Sequence, residues 1–378
     1  MIPIAYNIRS LKERRRTTIA SALGIAMVVF VLSSSMMLSD GIDAAMGMAG
    51  RDDVAVVLRK GTDSELGSSL TQEQLSRIQA SPGVKAAYGE LVVVATIDRA
   101  GGGGQISNVQ IRGMSQMWRD VRIIAGRAPR PGTNEAMIGK RIRGRFEGVE
   151  LDQDFELKKN RSAQVVGVFE AGGSLSESEV WIDIDVLRSS FGREGLISSA
   201  RVVLESSEKL EAFREAIEHD RGLGLVVHRE TKFLEMQSEG TAIFVTALGS
   251  TVAMFFSFGA IIGAMITMFA AVSQRRREVG VLRALGFSEF SILTSFILES
   301  LMLSLLGGII GAIASIGMGM VQFSMLNFAT FSQIVFKFTP TIGVLVGSVF
   351  FAMVMGVLGG LFPAFQASRV SPVEAMRN

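Results

Sequence analysis

The sequence predicts an α-helical membrane protein with four transmembrane helices and an extracytoplasmic α+β domain of two subdomains. Four stretches carry almost no charge: between Arg16 and Asp40, between Glu239 and Arg275, from Phe290 to Phe336 with Glu299 alone, and from Phe338 to Ser368. A helix needs roughly 20 apolar residues to cross the hydrocarbon, and each stretch supplies them. The 200 residues from Asp40 to Glu239 are different, with 26 basic and 31 acidic residues for a net charge of −5. Basic residues gather instead in the short flanks of the apolar runs, at Arg9, Lys12 and Arg14 to Arg16, at Arg275 to Arg277 with Arg283, and at Arg369 and Arg377. The positive-inside bias then places both termini and the central loop in the cytoplasm and the 200-residue region outside. The expected segments are spans at 17–39, 240–274, 290–322 and 339–365, an outer domain at 40–239, a cytoplasmic loop at 275–289, a short outer loop at 323–338 and a tail at 366–378.

Residues 1–16 place Ile4, Ile8 and Leu11 on one helical face with most of the basic residues elsewhere, the pattern of an amphipathic helix on the cytoplasmic leaflet. Gly47-Met48-Ala49 resembles a signal-peptide cleavage site, but the apolar stretch Thr17 to Leu38 exceeds the roughly 7–15 residues of a signal core and favours an uncleaved anchor. A helix starting at Thr17 is expected to run past Leu38 as far as Met46.

The outer region opens with a strand at Val54 to Leu58. A helix follows over Thr71 to Ala80, started by the capping-box pattern Thr71-Gln72-Glu73-Gln74 and stopped by Pro82-Gly83. Leu91 to Asp98 and Gln105 to Arg112 read as a hairpin across Gly101 to Gly104. Strands at Arg201 to Leu204 and Leu225 to His228 flank a helix marked by Leu210, Phe213 and Ile217. Two β-α-β units thus form an outer subdomain, 50–112 with 200–228, and a middle piece, 113–199, is inserted in it. That piece holds strands at Ala163 to Phe169 and Val180 to Ile182, a helix near Asp183 to Phe191, and a loop at Gly172 to Ser176. Glu177 and Glu179 read as solvated residues of this Ser-rich stretch. Arg229 to Gly240 is polar but unbroken, so the second span is expected to continue outward as a stalk. In the third-to-fourth loop, Phe328, Phe331, Phe336 and Phe338 are expected at the membrane interface.

The central loop reads as a short helix on the membrane surface. Val279, Leu282 and Leu285 recur at helical spacing beside Arg276 and Arg283, Gly286 supplies a C-terminal stop, and Ser288 caps the next helix. Two readings stand: a helix made to be gripped by another protein, or a basic turn that only fixes topology.

Several chemistries find no residues. No Gly-x-x-x-x-Gly-Lys-Ser/Thr loop is present, nor a Gly-x-Ser-x-Gly elbow, nor a His-Glu-x-x-His pair. With no cysteine and two histidines, metal sites are not expected, and His228 beside Arg229 reads as solvated or capping. The net charge of +2 sits at the membrane face and implies no nucleic-acid partner. Within the spans Glu299 is the only ionisable residue; it either pairs with Arg275, Arg276 or Arg283 or snorkels to the headgroups. Gly307 with Gly311, and Gly356 with Gly360 near Pro363, have the Gly-x-x-x-Gly spacing that lets helices approach closely, inside the four-helix unit or between two copies.

Gln274-Arg275-Arg276-Arg277-Glu278-Val279-Gly280-Val281-Leu282-Arg283-Ala284-Leu285-Gly286 resembles the cytoplasmic loop of FtsX-like ABC transporter permeases, the group that includes MacB and LolC/LolE. The tail from Phe362-Pro363 to Met376-Arg377 resembles their C-terminal signature, and Gly126-Arg127-Ala128-Pro129 with Val165 to Phe169 resembles the MacB-type outer domain. The resemblance implies that Arg275 to Phe287 forms a coupling helix docked in a cytoplasmic ATPase. It implies a non-catalytic permease, with ATP and Mg bound by the partner and no cofactor of its own. The chain begins almost at the first span, so a separate ATPase is expected. The partners implied are an ATPase dimer and a second permease copy, identical or related, with a periplasmic adaptor and outer-membrane duct in a two-membrane bacterium. The implied function is mechanotransmission in the bacterial inner membrane, driving export or extraction of amphipathic cargo. The alternative is an FtsX-like signalling module that controls a cell-envelope hydrolase.

Overall fold

A computed structural model describes residues 15–47, 50–101, 104–116, 121–220, 222–326 and 332–369, together with Arg9 and Glu13. The expected N-terminal amphipathic helix and the tail beyond Arg369 therefore lie almost wholly outside the described residues. The chain forms two compact units. One comprises 1–40, 244–321 and 337–378, and the other 41–243 with 322–336.

The first unit is helical. Helix α1 spans Arg15–Gly47. Among the described residues, four segments are long and apolar enough to cross a membrane, Thr18–Ile42, Ile243–Gln274, Glu289–Met320 and Ile342–Ser368. Glycine and serine let them approach. A Cβ at Gly307 would stand 2.7 Å from the Ala22 carbonyl oxygen, and one at Gly311 would collide with that of Ala26. A Cβ at Gly360 would meet the Ser300 Cβ at 2.5 Å, and one at Gly356 would strike the Ser304 hydroxyl. The Ser300 hydroxyl donates to the Gly356 carbonyl at 2.6 Å. Both Gly-x-x-x-Gly pairs are thus used inside the helical unit. Gly311→Val is expected to cost about 1–3 kcal/mol through overpacking, whereas Gly263→Ala, where a Cβ meets open space, is expected to be neutral or slightly stabilising. Thermal unfolding of the detergent-solubilised chain reads the contrast, and equal shifts would refute the assigned contacts.

The second unit is built on one sheet. Its strands are β1 (Val54–Arg59), β3 (Val84–Asp98), β4 (Ile106–Met114), β5 (Arg122–Gly126), β6 (Glu135–Gly139), β7 (Asp154–Lys158), β8 (Arg161–Glu170), β9 (Glu179–Asp183), β11 (Ser199–Leu204) and β12 (Leu225–Arg229). Their order is β12-β1-β11-β3-β4-β9-β6-β8-β5, with β7 also on β8. A short pair, β2 (Leu70–Thr71) with β10 (Leu196–Ile197), stands apart. Helix α2 (Gln72–Gln79) begins at the expected capping box: Thr71 and Gln74 exchange side-chain and backbone hydrogen bonds. Helix α3 (Ile184–Phe191) is capped by Asp183, and α4 (Leu210–Glu218) buries Leu210, Phe213 and Ile217.

The structure corrects the expected division at residue 113. Strand β9 of the middle piece pairs in parallel with β4, from Gln110 with Glu179 to Met114 with Asp183. Ladder bonding therefore continues across the boundary, and one apolar core includes Ile111 of β4 and Val180 of β9. The loop expected at 323–338 is corrected too. It contains β13 (Gln322–Leu326) and β14 (Gln333–Lys337), a two-stranded sheet whose residues 322–336 belong to this unit. Phe336 and Phe338 are buried rather than interfacial, while Phe328 and Phe331 lie outside the described residues.

The polar stretch before the second apolar run is helical, as expected. Helix α5 runs unbroken over Glu230–Gln274, 45 residues, a length of about 68 Å at 1.5 Å per residue. The boundary between the units falls inside it, at 243/244.

Candidate coupling site

Between α5 and the next membrane-length helix, α7 (Glu289–Ile316), lies α6, Arg276–Ala284. Its C-terminal end is set by local chemistry. Gly286 has φ +93°, and the Gly286 and Phe287 amides donate to the Arg283 and Leu282 carbonyls. This is a Schellman ending, which a left-handed glycine makes possible. Ser288 then caps α7 by accepting from the Ser291 amide at 3.2 Å.

One face of α6 is anchored. Val279 is buried in a cluster with Met268, Val272, Ile292, Phe296, Ala364 and Ala367, and Gly280 is buried beside it. Arg275 precedes the helix and is buried. Its Nη1 lies 2.9 Å from Glu299 Oε2, its Nε 3.1 Å from Glu278 Oε2, and its guanidinium sits over the Phe296 ring. Of the two alternatives for Glu299, pairing is the one seen, with Arg275. Pro363 is buried within helix α8 (Ile342–Ser368).

The other face is open. Arg276, Arg277, Val281, Leu285 and Gly286 are exposed, Leu285 by 71%. Leu282 and Arg283 are half-buried, and Arg283 Nη2 reaches Glu289 at 2.9 Å. The residues expected to couple therefore divide between two faces. Arg275, Val279 and Gly280 hold the helix down, because helical geometry turns them towards α5, α7 and α8. The apolar part of the open face is Val281 with Leu285, not the ridge Val279-Leu282-Leu285.

A second polar cluster, in the sheet unit, was not anticipated. Arg112 of β4 bonds Glu179 Oε2 at 2.9 Å, Glu65 Oε1 at 3.0 Å and Glu90 Oε2 at 2.5 Å. Arg201 of β11 bonds Glu65 and Glu230 at 3.2 Å and Glu90 at 3.3 Å. All six are buried. Glu230 is the first residue of α5 and also accepts the Arg51 amide at 3.1 Å. The cluster thus ties the start of the long helix to the middle of the sheet. Burial opposes every charge here. It pulls the Arg112 guanidinium down, but Glu179, Glu65 and Glu90 more than reverse this and hold its pKa well above the ordinary value. Burial likewise pushes the Glu65 carboxyl up, and Arg112 and Arg201 more than reverse that, holding it below the carboxylate range. Glu179 and Glu177 are accordingly not solvated. Glu177 is fully buried and accepts from the Ala171 and Gly173 amides at 3.0 and 2.7 Å. The available signal was charge in strands otherwise rich in Val and Ile, as at Glu90, Arg112 and Arg201. His228, read as solvated or capping, is half-buried and stacks on Phe233, and burial lowers its pKa.

Among the described residues the chain thus combines four membrane-length helices, a sheet-rich unit and a short basic helix between two of the long ones. The MacB-like periplasmic core domain matches residues 17–220, and the FtsX-like permease C-terminal domain matches residues 250–372. The chain belongs to the FtsX-like ABC transporter permeases that carry a MacB-like periplasmic core domain. It is 30% identical over 211 residues to the uncharacterized ABC transporter permease YknZ of Bacillus subtilis (strain 168), across 54% of this chain and 50% of YknZ. It is 29% identical over 225 residues to the macrolide export ATP-binding/permease protein MacB of Nitrosomonas europaea, across 56% of this chain and 32% of that protein. The matches thus span half the length of the first relative and about a third of the second. Among solved structures, the extracellular domain of YknZ from Gram-positive bacteria is similar at 18% identity and a TM-score of 0.37, over 46% of this chain and 99% of that one.

Proposed function

We propose that this chain is the non-catalytic membrane subunit of an ABC transporter working by mechanotransmission. A cytoplasmic ATPase grips the open face of α6. The observation that carries the reading is the division of that short helix. Val279 and Arg275 fix one side to the helical unit, while Arg276, Arg277, Val281 and Leu285 stand exposed on the other. A basic and apolar helix face is suited to insertion in a protein groove. ATP and Mg belong to the partner, and two permease copies face two ATPases.

In this reading both termini and α6 face the cytoplasm and the sheet unit faces outward. This follows the concentration of Arg around the loop and leader. Motion of α6 passes to α5, because a continuous helix transmits displacement along its length. The membrane-length segments hold no ionisable residue but Glu299, apart from the terminal Asp40 and Glu289. A polar cargo therefore has no charged path among them, and the work is done on amphipathic cargo already outside. A relative named for macrolide export supports export as its direction, with an adaptor and outer duct where a second membrane exists.

Leu285→Asp is expected to weaken ATPase association at least thirtyfold, about 2 kcal/mol for an apolar anchor at an interface centre, without lowering the chain's own stability. Co-purification of the ATPase with the tagged full-length chain reads this. Undiminished association would count against α6 as the docking element.

A further inference from the structure

The β13–β14 hairpin joins α7 to α8 in sequence, yet packs as part of the sheet unit. Ile334, Val335 and Phe336 are buried at 6%, 2% and 1% exposure. Arg141, which follows β6, donates from Nη1 to the Val335 carbonyl at 2.8 Å, and the Val335 amide donates to the Ser178 hydroxyl at 3.2 Å. Arg145 reaches Ser324 and Gln322 of the other strand at 2.5 and 2.7 Å. Arg141 is itself held by the fully buried Glu177, Nε to Oε2 at 3.1 Å. Burial lowers its pKa and Glu177 only partly opposes this. A buried cation paired with Glu177 thus also donates to a backbone carbonyl of a hairpin remote in sequence. The hairpin's Ser332, Gln333 and Ile334 also border a cavity of about 30 Å³ lined by Glu179, Arg112 and Gln237. Gln237 belongs to α5, and Glu179 and Arg112 to the buried ionic cluster. Hairpin, long helix and sheet therefore meet at one place.

We infer that Arg141 is a positioning residue that fastens the hairpin to the sheet, so that displacement of the chain between α7 and α8 reaches the sheet as directly as displacement of α5. The inference rests on the mechanical reading above for its purpose but not for its geometry.

Hydrogen exchange on the full-length chain in detergent tests the geometry without any ATPase. Arg141→Met is expected to speed exchange of amides 334–336 about tenfold, the size of one buried charge-assisted hydrogen bond, with β1, β3 and β11 unchanged. Ser178→Ala is expected to do so less, and Arg141→Lys to restore part of the protection. Unchanged hairpin exchange, or equal loosening of the whole sheet, would overturn the assignment. In the complex trapped with ADP and vanadate, the hairpin is expected to stay as protected as β6. Release of the hairpin alone in that state would overturn the fastening role. Absence of any associated ATPase would instead fail the functional reading and leave the first arm intact.

Discussion

Arg112→Met is expected to destabilise the chain by about 3–5 kcal/mol, the usual consequence of removing one member of a buried ion cluster. Methionine fills much of the volume but leaves Glu65, Glu90 and Glu179 buried around the lost guanidinium, with Arg201 reaching only Glu65 and Glu90. A surface pair serves as the control. Arg77 and Glu73 sit one turn apart on α2 with both side chains more than half exposed, and Arg77→Met is expected to cost under about 0.5 kcal/mol. Thermal unfolding of the full-length chain compares the two, and similar shifts would mean that the cluster is solvated. The functional consequence concerns α5. Glu230 begins that helix and Arg201 holds it, so a loosened cluster frees the end through which motion is proposed to arrive.

Arg275→Met is the second large effect, again about 3–5 kcal/mol, because it strands the buried Glu299 carboxylate. The double variant Arg275→Met with Glu299→Leu is expected to recover more than half of that loss, since an apolar pair of similar volume is often tolerated where a broken ion pair is not. Additive losses in the cycle would contradict the pairing. The result also separates anchoring from docking. Leu285→Asp is expected to spare stability and remove association, whereas Arg275→Met lowers stability first.

The membrane-length segments, the unbroken course of α5 and the C-terminal end of α6 were legible because each has a local cause. Charge-free length marks the spans. Gly286 and Ser288 mark helix ends through backbone conformation and capping, and Thr71 with Gln74 marks the start of α2. The face of α6 was only half legible. A 3.6-residue period groups Val279 with Leu282 and Leu285, but which side of that group turns inward depends on Phe296, Ala364 and Ala367, up to 88 residues away. The middle of the outer domain was misjudged for a similar reason. Parallel pairing of β4 with β9 joins residues 69 apart, and no turn signal announces it. Glu177 and Glu179 looked solvated because Ser and Gly surround them in sequence, while Arg141, Arg112 and Trp181 surround them in space. The hairpin between α7 and α8 was hidden because its partners, Arg141 and Ser178, lie far upstream.

The central claim is that the open face of α6 is held by an ATPase, and site-specific photocrosslinking in native membranes tests it directly. A photoreactive residue at position 285, where the native leucine is exposed, is expected to capture a nucleotide-binding protein. The same residue at position 124, an exposed isoleucine on strand β5, is expected not to. Capture of that ATPase from position 124, or of no such protein from position 285, would contradict the account.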